Sequence, residues 1–430
     1  MKIKVIDKEY SSVLKLKKEK HKRPKKSSIF WRTLMKLVSV PDLKATNFKY
    51  TTEGMEKLKK GEAALFLMNH SSFIDLEILA TVLYPRAYNI VTTTDAFMGK
   101  DWLMRQIGCM PTKKFVHDHY LIKDMTYALK ELNCSVVLFP EAGYSFDGTA
   151  TTVPETVSML VKMLGVPLVM IRTYGAFARD PLYNNIQVRE VDVSAKVEYL
   201  LSPEEISLMT REEINDVIQA NFSFDNFKWQ QENKVEIDEP TRADYLHRVL
   251  YKCPSCGKEN KMLGKGTVIK CMECGKVHTL DEYGYLTCEG EADFTHIPDW
   301  YAWEREEVKK EVENGTYHME SPVEIFMSID TKHLYRIGKG DIVHDMSGIH
   351  LNGCNGQLDY HHKPMASYSI NADYNWYEIG DMICIGDHEK LFYCFPSSPE
   401  FSVSKARLAT EEMYKTLRAK SRIKKEIDKP

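Results

Sequence analysis

Ala63-Ala64-Leu65-Phe66-Leu67-Met68-Asn69-His70-Ser71-Ser72-Phe73-Ile74-Asp75-Leu76-Glu77-Ile78-Leu79 is the stretch on which the reading of this chain turns. Six apolar residues make a strand-sized run. Four polar residues then break it, and the apolar positions that follow recur at helical spacing. A strand that ends in a turn and runs into a helix is the unit from which open α/β sheets are built, and ligands bind such sheets at the strand ends. His70 stands at that end. Five residues apart, His70 and Asp75 cannot share one face of a continuous helix. They can meet if His70 lies in the turn and Asp75 in the first helical turn. The carboxylate then fixes the tautomer of the imidazole, and the other ring nitrogen can take a proton from a hydroxyl. Ser72-Phe73-Ile74-Asp75 also fits a helix-capping signature, which would make Asp75 a cap and His70 an ordinary turn residue.

Outward from this stretch the same alternation continues over about 40 to 230. Val136-Val137-Leu138-Phe139 and Val166-Pro167-Leu168-Val169-Met170-Ile171 read as buried strands, with a helix over 156–164 between them. The first runs into Pro140-Glu141-Ala142-Gly143-Tyr144-Ser145, where Gly143 lets a ligand approach the backbone and successive amides can face an anion. Gly108-Cys109-Met110-Pro111-Thr112-Lys113-Lys114 puts two cations beside a turn, and Arg172 closes the strand after Val166-Pro167.

Taken in order, these blocks resemble the glycerolipid acyltransferase family that includes the 1-acylglycerol-3-phosphate acyltransferases. That family carries Asn-His-x4-Asp, a basic phosphate-binding block, Phe-Pro-Glu-Gly-Thr-Arg-Ser and a Val-Pro strand. Asn69-His70 and Asp75 match the first block, Phe139-Pro140-Glu141 and Ser145 the third, and Val166-Pro167 the fourth, across about 50–200. The resemblance implies an enzyme that moves a fatty acyl group from acyl-CoA or acyl-carrier protein to the hydroxyl of a lysophospholipid, with 1-acylglycerol-3-phosphate the first acceptor to consider. It implies His70 as general base, Asp75 as its orienting partner, and Lys113, Lys114, Glu141, Gly143, Ser145 and Arg172 around the substrates. The chain departs from the family where Ala142-Gly143-Tyr144 replaces Gly-Thr-Arg, so a phosphate-binding arginine is missing. That departure keeps open an alternative, a weak or inactive homologue serving as a membrane-associated adaptor.

The rest of the chain divides by texture. Eight Lys or Arg between Lys15 and Lys26 lead into Ser28–Val38, whose apolar residues at 30, 31, 34, 37 and 38 recur at helical spacing. This basic amphipathic segment (1–40) suits either an anionic membrane surface or a helix docked on the core. The acyltransferase-like region (41–235) follows. At 248–290, Cys253-Pro254-Ser255-Cys256 and Cys271-Met272-Glu273-Cys274 are fourteen residues apart, a spacing that resembles a zinc ribbon. Structural zinc is the expected metal, with iron its rival, and a rigid spacer is the expected role. From 320 to 425, strand-like stretches (323–329, 333–337, 349–351, 365–370 and 382–394) precede a helix over 402–418, an α+β pattern loosely like PH or GRAM domains. His361-His362 reads as a surface pair.

Composition narrows the class. At 430 residues, with 43% hydrophobic and 28% charged residues, the chain can form two or three globular domains. A net charge of -3 argues against nucleic acid as the partner. No apolar run approaches the ~18 to 20 residues of a membrane span, and no signal-peptide pattern opens the chain. Six scattered cysteines outside the paired four suit a reducing compartment. The expected location is cytoplasmic, peripherally on a membrane.

Overall fold

The computed structural model describes residues 3–17, 20–116 and 118–427; Lys18 and Glu19 of the basic run lie outside the described residues. The first layer is a seven-stranded sheet in the order Lys49–Glu53, Ser194–Leu201, Leu168–Tyr174, Leu65–Met68, Ser135–Leu138, Tyr88–Thr93 and Cys109–Thr112. All its pairs are parallel except Leu168–Tyr174 with Ser194–Leu201. Parallel sheets are covered on both faces, and period-two alternation delivers that cover here. Phe66 and Met68 pack with Ile78, Leu79 and Ile171 on one face, while Leu65 and Leu67 pack with Val157, Val161 and Met170 on the other. The helices Asp75–Val82 and Thr156–Leu164 supply those apolar stripes.

The helix Ile29–Ala45 extends past the expected N-terminal segment. Its apolar face is not docked on the core: only Ser39 and Leu43 are buried, and Phe30, Leu37 and Val38 are each more than 60% exposed.

The paired cysteines lie beside a four-stranded antiparallel sheet ordered Leu286–Cys288, Val277–Leu280, Val268–Cys271 and Met262–Lys265. The expected spacer is instead part of a larger body. Cys253, Ile269 and Leu280 share one buried core with Trp300 and Val308 of the helix Ile297–Asn314, with Phe392 of the C-terminal sheet, and with Leu408 of the helix Val403–Ile427. That first helix begins with Pro298 in its first turn, where a missing N–H costs nothing.

The C-terminal region is β-rich: Leu358–His362, Gly348–Gly353, Leu334–Asp345, His318–Ser328, Leu391–Pro396, Gly380–Gly386 and Asn371–Trp376 stand in that order, and Val5–Asp7 pairs in parallel with Leu334–Asp345. Two of the expected strands differ. Residues 365–370 form no strand, because Ser367 Oγ donates to Ser369 O and competes with a ladder. Residues 382–394 are two strands, folded back where Asp387 Oδ1 accepts from the backbone of Glu389 and Lys390. His361-His362 is likewise not a surface pair, since neighbours on a strand face opposite ways. His361 is exposed, and His362 is buried on Ser367 Oγ.

Candidate active site

The strand Leu65–Met68 ends at Asn69, whose side chain latches it to the neighbouring strand. Nδ2 donates to Thr173 Oγ1 and Oδ1 accepts from Thr173 N at 2.8 Å. His70 follows in the turn. Its Nδ1 lies 3.0 Å from Asp75 Oδ2, with the imidazole 18% exposed and the carboxylate fully buried. The same oxygen accepts from the backbone N–H of Ser71 at 2.9 Å and Ser72 at 3.1 Å. Asp75 is the first residue of its helix, whose N-cap Ile74 makes no side-chain cap, so its carboxylate ties the turn before the helix and orients His70 and does not cap the helix. Nδ1 is thereby engaged, which leaves Nε2 for proton transfer.

The ring of His70 is held between Phe139 at 4.3 Å and Tyr144 at 4.1 Å, centroid to centroid. Tyr144 occupies the place of the missing arginine and uses it for packing. Beneath the turn, Ser72 Oγ donates to Asp180, which burial pushes up to about 7 despite Arg179 beside it. Glu77, pushed up to about 7 by burial and by Asp42, also faces Asp180.

His70 opens on a cavity of about 1990 Å³ between the seven-stranded sheet and the C-terminal region. Much of its wall is apolar, with Ile90, Met104, Ile107, Leu121, Leu160 and Met163 among the lining residues. The opposite wall comes from the C-terminal region and includes Tyr368, Asp373, Trp376 and Tyr377. No described helix is long and apolar enough to cross a membrane.

Not every residue singled out from the sequence reaches this cavity. Lys113 and Lys114 both line it, but they are not equivalent. Lys113 is tied through Nζ to the carbonyl of His388, and burial lowers its pKa. Lys114 faces Asp373, a carboxyl that burial pushes up to about 7. Arg172 lies elsewhere, donating to Asn221 Oδ1 at 2.6 Å and to Asn221 O. Ser145 is a buried turn residue whose Oγ donates to Thr149 O at 2.6 Å. Glu141 is buried under the turn and pushed up to about 8 by burial, against the opposing charge of Arg407 and the N–H groups of His70 and Thr151. Gly143 has open space where a Cβ would stand; the left-handed residue is Ala142, at φ 56°. Tyr144 stood inside a motif and could have been found from the sequence. Asp180, Asp373 and Arg407 carried no local signal.

A family model described as Acyltransferase matches residues 49–173, which hold His70, Asp75 and the Pro-Glu turn. The chain carries an acyltransferase domain. The crystal structure of the 1-acyl-sn-glycerophosphate (LPA) acyltransferase PlsC from Thermotoga maritima aligns with 44% of this chain and 78% of that one, at 15% identity and a TM-score of 0.37. Curated proteins give no match to the sequence.

Outside the acyltransferase domain, the Sγ atoms of Cys253, Cys256, Cys271 and Cys274 lie within 4.8 Å of one another. The pairs Cys253–Cys274 and Cys256–Cys271 are each 3.7 Å apart. A tetrahedron with bonds of about 2.3 Å has sulfur edges of about 3.8 Å, so these four thiols could hold a zinc ion.

Proposed function

We propose that the acyltransferase domain moves a fatty acyl group from acyl-CoA or acyl-carrier protein to the free hydroxyl of a lysophospholipid, with 1-acylglycerol-3-phosphate the simplest acceptor. The observation that carries this is the His70–Asp75 hydrogen bond, set in a matched acyltransferase domain and opening on a long apolar cavity. His70 Nε2 takes the proton of the acceptor hydroxyl as its oxygen attacks the thioester carbon. Asp75 holds Nδ1–H and offsets the charge of the imidazolium. The tetrahedral oxyanion is assigned to backbone N–H at the Gly143 turn, because Ala142 N already donates to Phe139 O. Collapse forms the ester, breaks the carbon–sulfur bond and returns the proton to the leaving thiolate.

The apolar wall suits an acyl chain. Of the neighbouring pair Lys113 and Lys114, the second faces Asp373 instead of a backbone carbonyl, and it is assigned to the acceptor phosphate. The exposed apolar face of Ile29–Ala45, next to the basic run, supports peripheral association with an anionic membrane. Zinc in the four-cysteine site is read as structural, since four thiolates leave no open position. The intact His70–Asp75 bond speaks against the inactive-adaptor alternative.

The test is purified protein with labelled acyl-CoA or acyl-carrier protein and a panel of lysophospholipids. Transfer to a lysophospholipid that disappears in a folded His70→Ala variant is the expected result. Full turnover in that variant overturns the mechanism, and no transfer to any member of the panel overturns the substrate class.

A further inference from the structure

The turn that packs against His70 is not held by the acyltransferase domain alone. Arg407, on the C-terminal helix Val403–Ile427, is buried, and its Nη1 donates to the backbone carbonyl of Tyr144 at 3.4 Å. Its Cζ lies 4.6 Å from the ring centre of Phe146, two residues along the same turn. Its Nε donates to Glu411 Oε1 at 3.2 Å. Glu411 is fixed in turn: Arg305 of the helix Ile297–Asn314 lies 2.8 Å from its carboxylate, and Ser369 Oγ donates to it at 2.8 Å. The guanidinium also faces the buried carboxyl of Glu141.

Arg407 is therefore the last member of a buried ionic chain that runs from two C-terminal helices to the segment Glu141–Phe146. The ring of Tyr144 stands 4.1 Å from that of His70, so displacing this carbonyl moves one of the two rings that hold the imidazole. Arg407 does not line the cavity, and a contact with substrate is not part of its role.

We infer that Arg407 is a positioning residue for acyl transfer: it clamps the Glu141–Tyr144 turn against His70 from the C-terminal helix, where the matched motif lacks its own arginine. The C-terminal region then belongs to the catalytic apparatus, and activity depends on its docking. Guanidinium geometry is needed, because one planar group must donate to the Tyr144 carbonyl and to Glu411 while stacking on Phe146. Lysine can place a charge there but cannot make all three contacts.

The inference rests on the reading of His70 given above, so the experiment carries a His70→Ala arm. Steady-state acyl transfer is measured for the full chain, for Arg407→Met, for Arg407→Lys and for Lys405→Met. Lys405 lies on the same helix but pairs with Glu259 and Glu311, away from the turn. A displacement of about 1 Å in a catalytic group costs on the order of 10²-fold, so Arg407→Met should lose about 30- to 100-fold in kcat with KM within about threefold. Arg407→Lys should fall between it and the parent, and Lys405→Met should keep its kcat. The His70 ring resonances should move in Arg407→Met and stay in Lys405→Met, a readout that a loss of stability alone would not give. If Arg407→Met does not fold, Arg407→Met/Glu411→Gln removes the stranded carboxylate and is measured in its place, and Arg407→Lys is read alone if neither folds. A folded Arg407 variant with parental kcat and unshifted His70 resonances overturns the inference while His70→Ala remains inactive. An active His70→Ala variant instead overturns the reading of the site.

Discussion

Asp75→Asn separates the two tasks of the aspartate, and the hydrogen bonds around it say how. Oδ2 accepts from His70 Nδ1, Ser71 N and Ser72 N, whereas Oδ1 is buried with no hydrogen-bond partner among the described residues. Two backbone N–H groups aimed at one position will select the oxygen of the amide there, so the new NH2 falls at the unpartnered site. His70 Nδ1–H keeps an acceptor, and Nε2 stays basic. What disappears is the charge opposite the imidazolium. At about 4 Å and an effective dielectric near 20 that charge contributes about 4 kcal/mol for a fully transferred proton, so kcat falls by at most about 10³-fold. A half-transferred proton gives about 30-fold. The stranded amide also costs about 1–3 kcal/mol of stability, which thermal unfolding checks. Asp75→Ala removes the oxygen itself, frees the ring and leaves both N–H groups unpaired, so it should be slower than Asp75→Asn. Thiol release from acyl-CoA in the presence of a lysophospholipid reads both variants. Activity of Asp75→Asn within threefold of the parent refutes the role of the charge. Equal rates for Asn and Ala would refute the claim that the backbone holds the group.

Three further outcomes follow from the same structure. Lys114→Ala should raise KM for a phosphate-bearing acceptor by about tenfold or more, from one lost charge-assisted contact, and leave KM for the acyl donor alone, while Lys113→Ala should do neither; acceptor titrations decide it, and the reverse ranking would reassign the site. Metal analysis should find one zinc per chain. Removing it, or Cys256→Ser, should lower the melting temperature of the C-terminal region as well as the ribbon, because Cys253 and Ile269 share a core with Phe392 and Leu408; loss of ribbon structure alone would contradict that shared core. Glu141 has a folded pKa of about 8, above its unfolded value of about 4.5, so the folded state holds the extra proton between them. Its stabilising contribution is complete below pH 4.5 and is lost as pH rises through about 8. Glu141→Gln should flatten the decline in melting temperature from pH 5 to 8; an unchanged slope would show the carboxyl to be ionised throughout.

Much of the acyltransferase domain was legible in the chain because its signals are local. An apolar run, a turn and a periodic helix specify the strand–turn–helix around His70, and the five-residue spacing to Asp75 allows one geometry in which both reach each other. Four cysteines in two pairs likewise specify a tetrahedral cluster, since each knuckle sets two ligands by its own turn. The apolar face of Ile29–Ala45 was readable too, but not where it points: the same spacing fits a docked helix or an exposed one.

What the sequence left undecided depends on groups far apart in the chain. Lys113 and Lys114 are neighbours of equal charge, yet the carbonyl of His388 engages one and the other faces Asp373, which only the docking of the C-terminal region arranges. The left-handed residue of the Gly143 turn is Ala142, a residue type that does not announce it. Arg172 stands two residues before the end of the strand Leu168–Tyr174 and turns to Asn221, a residue 49 positions further along the chain. Arg407 lies 263 residues from Tyr144, in a helix whose periodicity says only that one face is buried. Local pattern fixes which element a residue joins and which face it takes. Which charge meets which carbonyl is set by the packing of whole elements, and no spacing within a segment encodes that.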